Sequence, residues 1–122
     1  MSIIPIQNYI NGNLVDAISG QVLDNVNPAT GQIFATIPDS DSNDVLQAIN
    51  AAKAAQLEWS NMPMETRFDW IMKISNGIQA RFDEFVLAES TDNGKPTWLA
   101  AQSDIPRAIS NFKFFASAQM NF

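Results

Sequence analysis

Hydrophobic and polar positions follow two different periods along the 122 residues of the chain, and the change falls at residues 38–41. Before it, short apolar runs alternate with turn-forming residues, a pattern typical of strands. After it, apolar residues recur at three- and four-residue spacing, as on one face of a helix. The pattern predicts an α+β fold: a short β-hairpin and strand region over residues 1–38, then three or four amphipathic helices over residues 39–122.

Two turns are predicted within the strand region. Asn11-Gly12 lies between apolar pairs and predicts a tight hairpin, because both residues accept positive φ. A second turn contains Pro28 and Gly31, since proline presets φ early in a turn and glycine ends it. This turn connects an extended run that ends near residue 26 to another that begins near residue 33.

The first predicted helix has an apolar stripe over residues 45–55 and ends near Trp59. Asp41 or Ser42 is expected to be its N-cap, and Asp44 lies where the helix dipole favours an acidic side chain. The pattern therefore predicts an amphipathic helix with one apolar face.

Two further helical stretches follow. One begins near Pro63 and ends at residues 92–94, whose sequence Asp-Asn-Gly is typical of a helix end. The other begins near Thr97 and contains Pro106, which predicts a kink or a restart of the helix with Asp104 as a cap.

The apolar side of the last helix continues to the final residue. Because helix ends in solvent are normally polar, we expect the chain to continue in a longer protein. We also expect the tryptophans to lie in the core. The stripe of the last helix contains Ile105, Ile109, Phe112, Phe115 and Met120. The tryptophans are Trp59, Trp70 and Trp98.

Composition narrows the classes of partner. The chain is 46% hydrophobic and only 16% charged, against about a quarter charged in typical soluble domains, which indicates apolar surface for a partner. Its net charge is −6 and its seven cations are scattered singly, so we expect no nucleic-acid partner. No stretch is long enough to span a membrane and residues 1–11 do not resemble a signal segment, so a cytoplasmic location and no membrane partner are expected.

Candidate catalytic chemistry is sparse. The sequence has no cysteine and no histidine, which excludes thiol nucleophiles, thiolate metal sites and imidazole bases from these 122 residues. The acidic pairs Asp41/Asp44 and Glu65/Asp69 are interpreted as residues of helix N-termini. The glycines form no phosphate-binding motif. We predict no catalytic and no cofactor-binding residue in this chain.

Arg107 is the one cation in an otherwise apolar or neutral segment. Its guanidinium has the geometry to bind a carboxylate through two parallel hydrogen bonds. A surface ion pair is the alternative interpretation.

The order of the motifs resembles the N-terminal portion of the aldehyde dehydrogenase superfamily over almost the whole chain. The similar segments are residues 9–12, 26–31, 33–38, 45–59 with Arg67, and 92–96. Within the superfamily, residues 104–107 and 111–116 are most similar to the hydroxymuconic and aminomuconic semialdehyde dehydrogenases. The resemblance identifies the chain as a partial, cofactor-binding-side region of such an enzyme.

The resemblance implies oxidation of a small aldehyde to a carboxylic acid by NAD or NADP. In that reaction a cysteine thiolate attacks the carbonyl, and a glutamate activates the water that releases the acid. Both residues come after this region in the family, so no cofactor is expected on this chain and it should be inactive alone. A homo-oligomer, or self-association through exposed apolar helix faces, is also expected.

The resemblance also implies two sites. A monovalent cation would be held near main-chain carbonyls of Asn25 and Val26 and by Asp92, because hard cations take oxygen ligands. Arg107 would lie on the helix at the substrate entrance and bind the carboxylate of a semialdehyde. The alternative is a standalone helical interaction module with no catalysis, which acts by docking its apolar faces.

Overall fold

The structure is a computed structural model and describes residues 3–121. The chain forms two compact units, Met1–Ser60 and Asn61–Phe122. The first consists of strands and a helix, and the second is helical.

Five short strands and one helix make up the first unit. A three-stranded sheet has the order β1-β5-β4, with β1 parallel and β4 antiparallel to β5, and β2 and β3 form a separate antiparallel hairpin. The elements are β1 (Ile4–Pro5), β2 (Asn8–Ile10), β3 (Asn13–Val15), β4 (Val22–Asn27), β5 (Gln32–Pro38) and α1 (Ser42–Asn61).

Both predicted turns are confirmed. In the first, Asn11 and Gly12 have φ of 51° and 79°, and Ile10 pairs directly with Asn13, which makes a two-residue hairpin loop. In the second, the main-chain carbonyl of Asn27 accepts a hydrogen bond from the Gly31 N–H at 2.8 Å. The local residue types therefore determine both reversals.

Helix α1 begins with two carboxylates that cap each other's backbone. The Asp41 side chain accepts hydrogen bonds from the N–H groups of Asn43 (2.7 Å) and Asp44 (3.3 Å), and the Asp44 carboxylate accepts one from the Asp41 N–H at 2.9 Å. The hydrogen bonds from the Asn43 and Asp44 backbone lower the pKa of Asp41. The stability that they contribute is present above the ordinary pKa of aspartate and is lost as the pH falls through the lowered value.

The apolar stripe of α1 is exposed. Val45 and Ile49 are 53% and 43% exposed, and the buried residue of this helix is Asp44 at 3%. Asp44 is buried because it also contacts the loop after β3. Its Oδ1 accepts a hydrogen bond from the Ile18 N–H at 2.8 Å, which connects that loop to the start of α1.

The described part of the second unit consists mainly of helices, and its core is a small cluster. Val86, Ala100, Ile105 and Ile109 are buried there, and Ile78, Phe82, Phe85 and Ala101 pack around them. The elements are α2 (Met64–Ala80), α3 (Phe82–Asn93), α4 (Thr97–Leu99), a π-helical segment (Ala100–Asp104) and α5 (Ile105–Asn121).

Helices α2 and α5 pack against each other in opposite directions. The buried Ser75 hydroxyl donates a hydrogen bond to the Ile109 carbonyl at 3.1 Å. Earlier in α2, Ile71 lies beside Phe112 and Phe115, which come later in α5. The antiparallel arrangement follows from these two contacts.

Several details of the helical prediction are wrong. The second helix is broken at Arg81 into α2 and α3, and the tryptophans are 37%, 48% and 61% exposed rather than core residues. On α5, by contrast, Phe112 and Phe115 are 38% and 65% exposed, in agreement with the expected exposed apolar helix face, while Ala116 is fully buried. The expected restart near Pro106 is a π-helical segment, and the Asp104 side chain binds Lys95 instead of capping a helix.

Replacing Asp44 with alanine should destabilise the first unit by about 2–4 kcal/mol, because a helix cap is lost and the Ile18 N–H loses its acceptor. Urea unfolding measures the change. Gln47→Ala, at an exposed position of the same helix, is the control and should change stability by less than about 0.5 kcal/mol. Equal effects of the two substitutions would contradict the role given to Asp44.

Candidate functional site

Arg107 lies in the first turn of α5 and is exposed. Within the described part of the second unit, no carboxylate is within ion-pairing distance of its guanidinium. A surface ion pair, the alternative interpretation of this residue, is therefore not found in that part of the chain. Its guanidinium donors are directed to solvent.

The face of α5 that contains Arg107 is opposite the core. Ile105 and Ile109, two residues away on either side, are buried at 7% and 5% exposure. Asn111 and Phe114 follow Arg107 at i+4 and i+7 and share its face; both are exposed, Phe114 at 65%. This exposed face combines a cation, an amide and an aromatic ring, which suits a small ligand with an anionic end and an apolar body.

The sequence Asp-Asn-Gly-Lys-Pro at residues 92–96 forms an ordered loop after α3. Gly94 has φ of 77° and donates its N–H to the Ser90 carbonyl at 3.0 Å, as expected for a left-handed helix end. The Asn93 side chain accepts a hydrogen bond from the Lys95 N–H at 2.9 Å, and the Ser90 hydroxyl donates to the Lys95 carbonyl at 2.6 Å. The backbone of Lys95 is thus fixed on both sides.

The Lys95 ammonium binds two carboxylates from different elements. It lies 2.6 Å from Asp104 Oδ2 in the π-helical segment and 3.2 Å from Glu89 Oε1 in α3. The hydrogen bond to Asp104 is the main cause that raises the pKa of Lys95. Lys95 is therefore charged throughout the physiological pH range.

The residues predicted to hold a monovalent cation belong to different units. Asn25 and Val26 lie on β4, where the register with β5 shifts by one residue, and Asp92 lies in the last turn of α3. Asn25 and Asp92 both take part in interactions of their own. Among residues 3–121, no group of three or more acidic side chains could hold a metal ion, so the site, with its main-chain carbonyl ligands, stays a prediction.

Comparison with known families supports the resemblance inferred from the motifs. Residues 14–122 match the model of the aldehyde dehydrogenase family. The chain belongs to this family. Of its helices within residues 3–121, none combines the length and hydrophobicity needed to cross a bilayer.

Similar proteins confirm the predicted resemblance to the semialdehyde branch of the aldehyde dehydrogenases. The chain is 42% identical over 117 residues to the 2-hydroxymuconic semialdehyde dehydrogenase of Pseudomonas sp. (strain CF600), covering 95% of this chain and 24% of that protein. It is 38% identical over 121 residues to the 2-aminomuconic semialdehyde dehydrogenase of Danio rerio, covering 99% and 24%. The chain therefore spans about a quarter of the length of these relatives.

A solved aldehyde dehydrogenase shares the fold of this chain. The structure of the Bacillus cereus enzyme in complex with NAD+ superposes with a TM-score of 0.88 and 32% identity, over 93% of this chain and 23% of that one. This similarity confirms that short strands followed by helices form the N-terminal part of the aldehyde dehydrogenase fold.

Sequence reasoning missed the π-helical segment and the ion pairs of Lys95. Lys95 and Asp104 are nine residues apart, so neither strand nor helix periodicity relates them. One signal was present in the sequence: apolar Ala100 and Ile105 are five residues apart, one more than an α-helix needs to place both on one face.

Gly94→Ala should destabilise the protein by about 1–2 kcal/mol, because alanine is strained at the positive φ of this position. The matched control is Gly77→Ala in α2, where an added Cβ would have no atom within 4 Å. That change should stabilise the helix by about 0.5–1 kcal/mol. Thermal unfolding of both variants measures the two changes in stability. Changes of the same sign would contradict the geometry given for Gly94.

Proposed function

We propose that this chain is the N-terminal, cofactor-binding-side segment of an NAD(P)-dependent aldehyde dehydrogenase that oxidises a carboxylated semialdehyde to a carboxylic acid. The observation that supports this most is the exposed guanidinium of Arg107 in a chain 42% identical to a semialdehyde dehydrogenase. The whole enzyme would be a cytoplasmic homo-oligomer.

The contribution of this segment to the reaction is recognition rather than bond making. The nicotinamide cofactor accepts the hydride when bound, but the 122 residues contain no glycine-rich phosphate motif that would hold it. They also contain no cysteine. The thiol that attacks the aldehyde would come from elsewhere in a longer protein, and the segment alone would be inactive.

Arg107 would bind the carboxylate at the far end of the substrate. A guanidinium donates two parallel N–H bonds to one carboxylate, which fixes both its position and its orientation. Asn111 and Phe114 on the same face would contact the rest of the molecule. A neutral aldehyde of the same size would make only the second set of contacts, so Arg107 would select for the charged substrate.

The cation site at Asn25, Val26 and Asp92 is also kept as a proposal, supported by the family resemblance. No step of the reaction is assigned to it. Replacing Na⁺ and K⁺ by a bulky organic cation should lower the melting temperature of the whole enzyme, and an unchanged value would contradict the site.

In the whole enzyme, Arg107→Ala should raise KM for a carboxylated semialdehyde about 10- to 100-fold, because charge-assisted hydrogen bonds contribute about 1.5–3 kcal/mol. KM for a neutral aldehyde of the same length should change less than about twofold. Steady-state kinetics with both substrates measures the difference. Lys113→Ala removes another exposed cation from the same helix and is the control; it should affect neither substrate.

Two results would contradict this role. Equal effects of Arg107→Ala on both substrates would mean that Arg107 does not recognise the carboxylate. An effect of Lys113→Ala as large as that of Arg107→Ala would mean that the positive charge of the helix, rather than one guanidinium, attracts the substrate.

A standalone interaction module without catalysis is the second candidate. The observation that favours it is the exposed apolar groove lined by Ile71, Asn111, Phe112 and Phe115, since exposed apolar surface of this kind often binds a partner. The reading frame that encodes the chain separates the candidates. Continuation into a glycine-rich segment and a cysteine supports the enzyme, whereas a stop after Phe122, with concentration-dependent association in sedimentation, supports the module.

A further inference from the structure

The π-helical segment at Ala100–Asp104 lies immediately before the turn of α5 that contains Arg107. Ala100 and Ile105 are 0% and 7% exposed and belong to the same core cluster, although they are five residues apart. In an α-helix, five residues turn the chain by about 500°, which would leave these side chains about 140° apart. Instead, the Ile105 N–H donates to the Ala100 carbonyl, and this wider turn places both on one face.

This wider turn determines the direction of Arg107. The residues of α5 follow Ile105 at regular α-helical spacing, so the position of Ile105 fixes the direction of every later side chain. Loss of the wider turn would rotate α5 by about 140° relative to α4. Arg107 would then leave the side of the helix opposite the core.

One ion pair connects the end of this segment to the rest of the unit. Asp104 is the last residue of the π-helical segment and lies 2.6 Å from the Lys95 ammonium. Hydrogen bonds hold the backbone of its partner, Lys95, on both sides. The two side chains are 27% and 32% exposed, whereas those of the Arg81–Glu84 pair are 62% and 64% exposed, so solvent screens the Lys95 pair less.

We propose that Lys95 is a positioning residue: its ion pair with Asp104 holds the π-helical turn and thereby keeps Arg107 directed toward the carboxylate of the substrate. The substrate part of this inference rests on the proposed function. The structural part, that the ion pair stabilises the Ile105–Ala100 hydrogen bond, is independent of any substrate.

The test uses Lys95→Met and Asp104→Asn in the whole enzyme. Both should raise KM for a carboxylated semialdehyde about fivefold, and should leave kcat/KM for a matched neutral aldehyde within about twofold. A long-range charge effect on an anionic substrate would instead move KM in opposite directions, because one variant removes a positive charge and the other a negative one. Lys95→Arg should restore KM, since the guanidinium keeps the ion pair.

The second measurement is hydrogen exchange at the Ile105 amide, which reports on the π-helical turn directly. Exchange should be about fivefold faster in Lys95→Met and in Asp104→Asn than in the parent enzyme. Arg81→Met breaks the more exposed ion pair and is the control; it should change neither exchange at Ile105 nor the two KM values.

The outcomes separate the two proposals. If Arg107→Ala discriminates between the substrates but the Lys95 and Asp104 variants do not, or if exchange at Ile105 is unchanged, the positioning role is wrong and the proposed function stands. If Arg107→Ala itself fails to discriminate, the proposed role of Arg107 is wrong and the substrate part of the inference falls with it, while exchange at Ile105 still decides the structural part.

Discussion

The arrangement of the second unit depends on one constraint, which is that Ala100 and Ile105 are buried in the same core although five residues separate them. A π-helical turn meets this constraint, and the buried residues of α5 then follow at α-helical spacing through Ile109 and Ala116. The same turn sets the opposite face of the helix, where Arg107 is exposed to solvent. Packing inside the unit and the direction of Arg107 on its surface therefore have a common origin.

The parts of the fold that could be predicted from the sequence are those determined within a few residues. Asn11-Gly12 forms the predicted hairpin loop because both residues tolerate positive φ. Asp41 caps α1, and Gly94 ends α3 in the left-handed conformation, each through bonds to residues no more than four positions away. The order of such local motifs also carried the resemblance to the aldehyde dehydrogenases, which the family match confirms.

The parts that could not be predicted depend on contacts between distant elements. Periodicity identifies an apolar face but not whether another element covers it, which is why Trp70 and Trp98 were expected in a core and are exposed. Pro106 predicted a kink or a restart of the helix, but the π-helical turn depends on the burial of both Ala100 and Ile105 in one core. Of the candidate site, Arg107 was found from its residue type and the resemblance, whereas the ion pair between Lys95 and Asp104, nine residues apart, follows neither helix nor strand periodicity.

The central claim is that the α5 face containing Arg107 recognises a substrate carboxylate in a longer aldehyde dehydrogenase. The most direct measurement is a crystal structure of that enzyme with the dicarboxylate product of a semialdehyde bound. The account predicts two hydrogen bonds of about 2.7–2.9 Å from the Arg107 guanidinium to the product's distal carboxylate, with the π-helical turn intact. A product whose distal carboxylate is bound by other residues, with Arg107 in solvent, would contradict it.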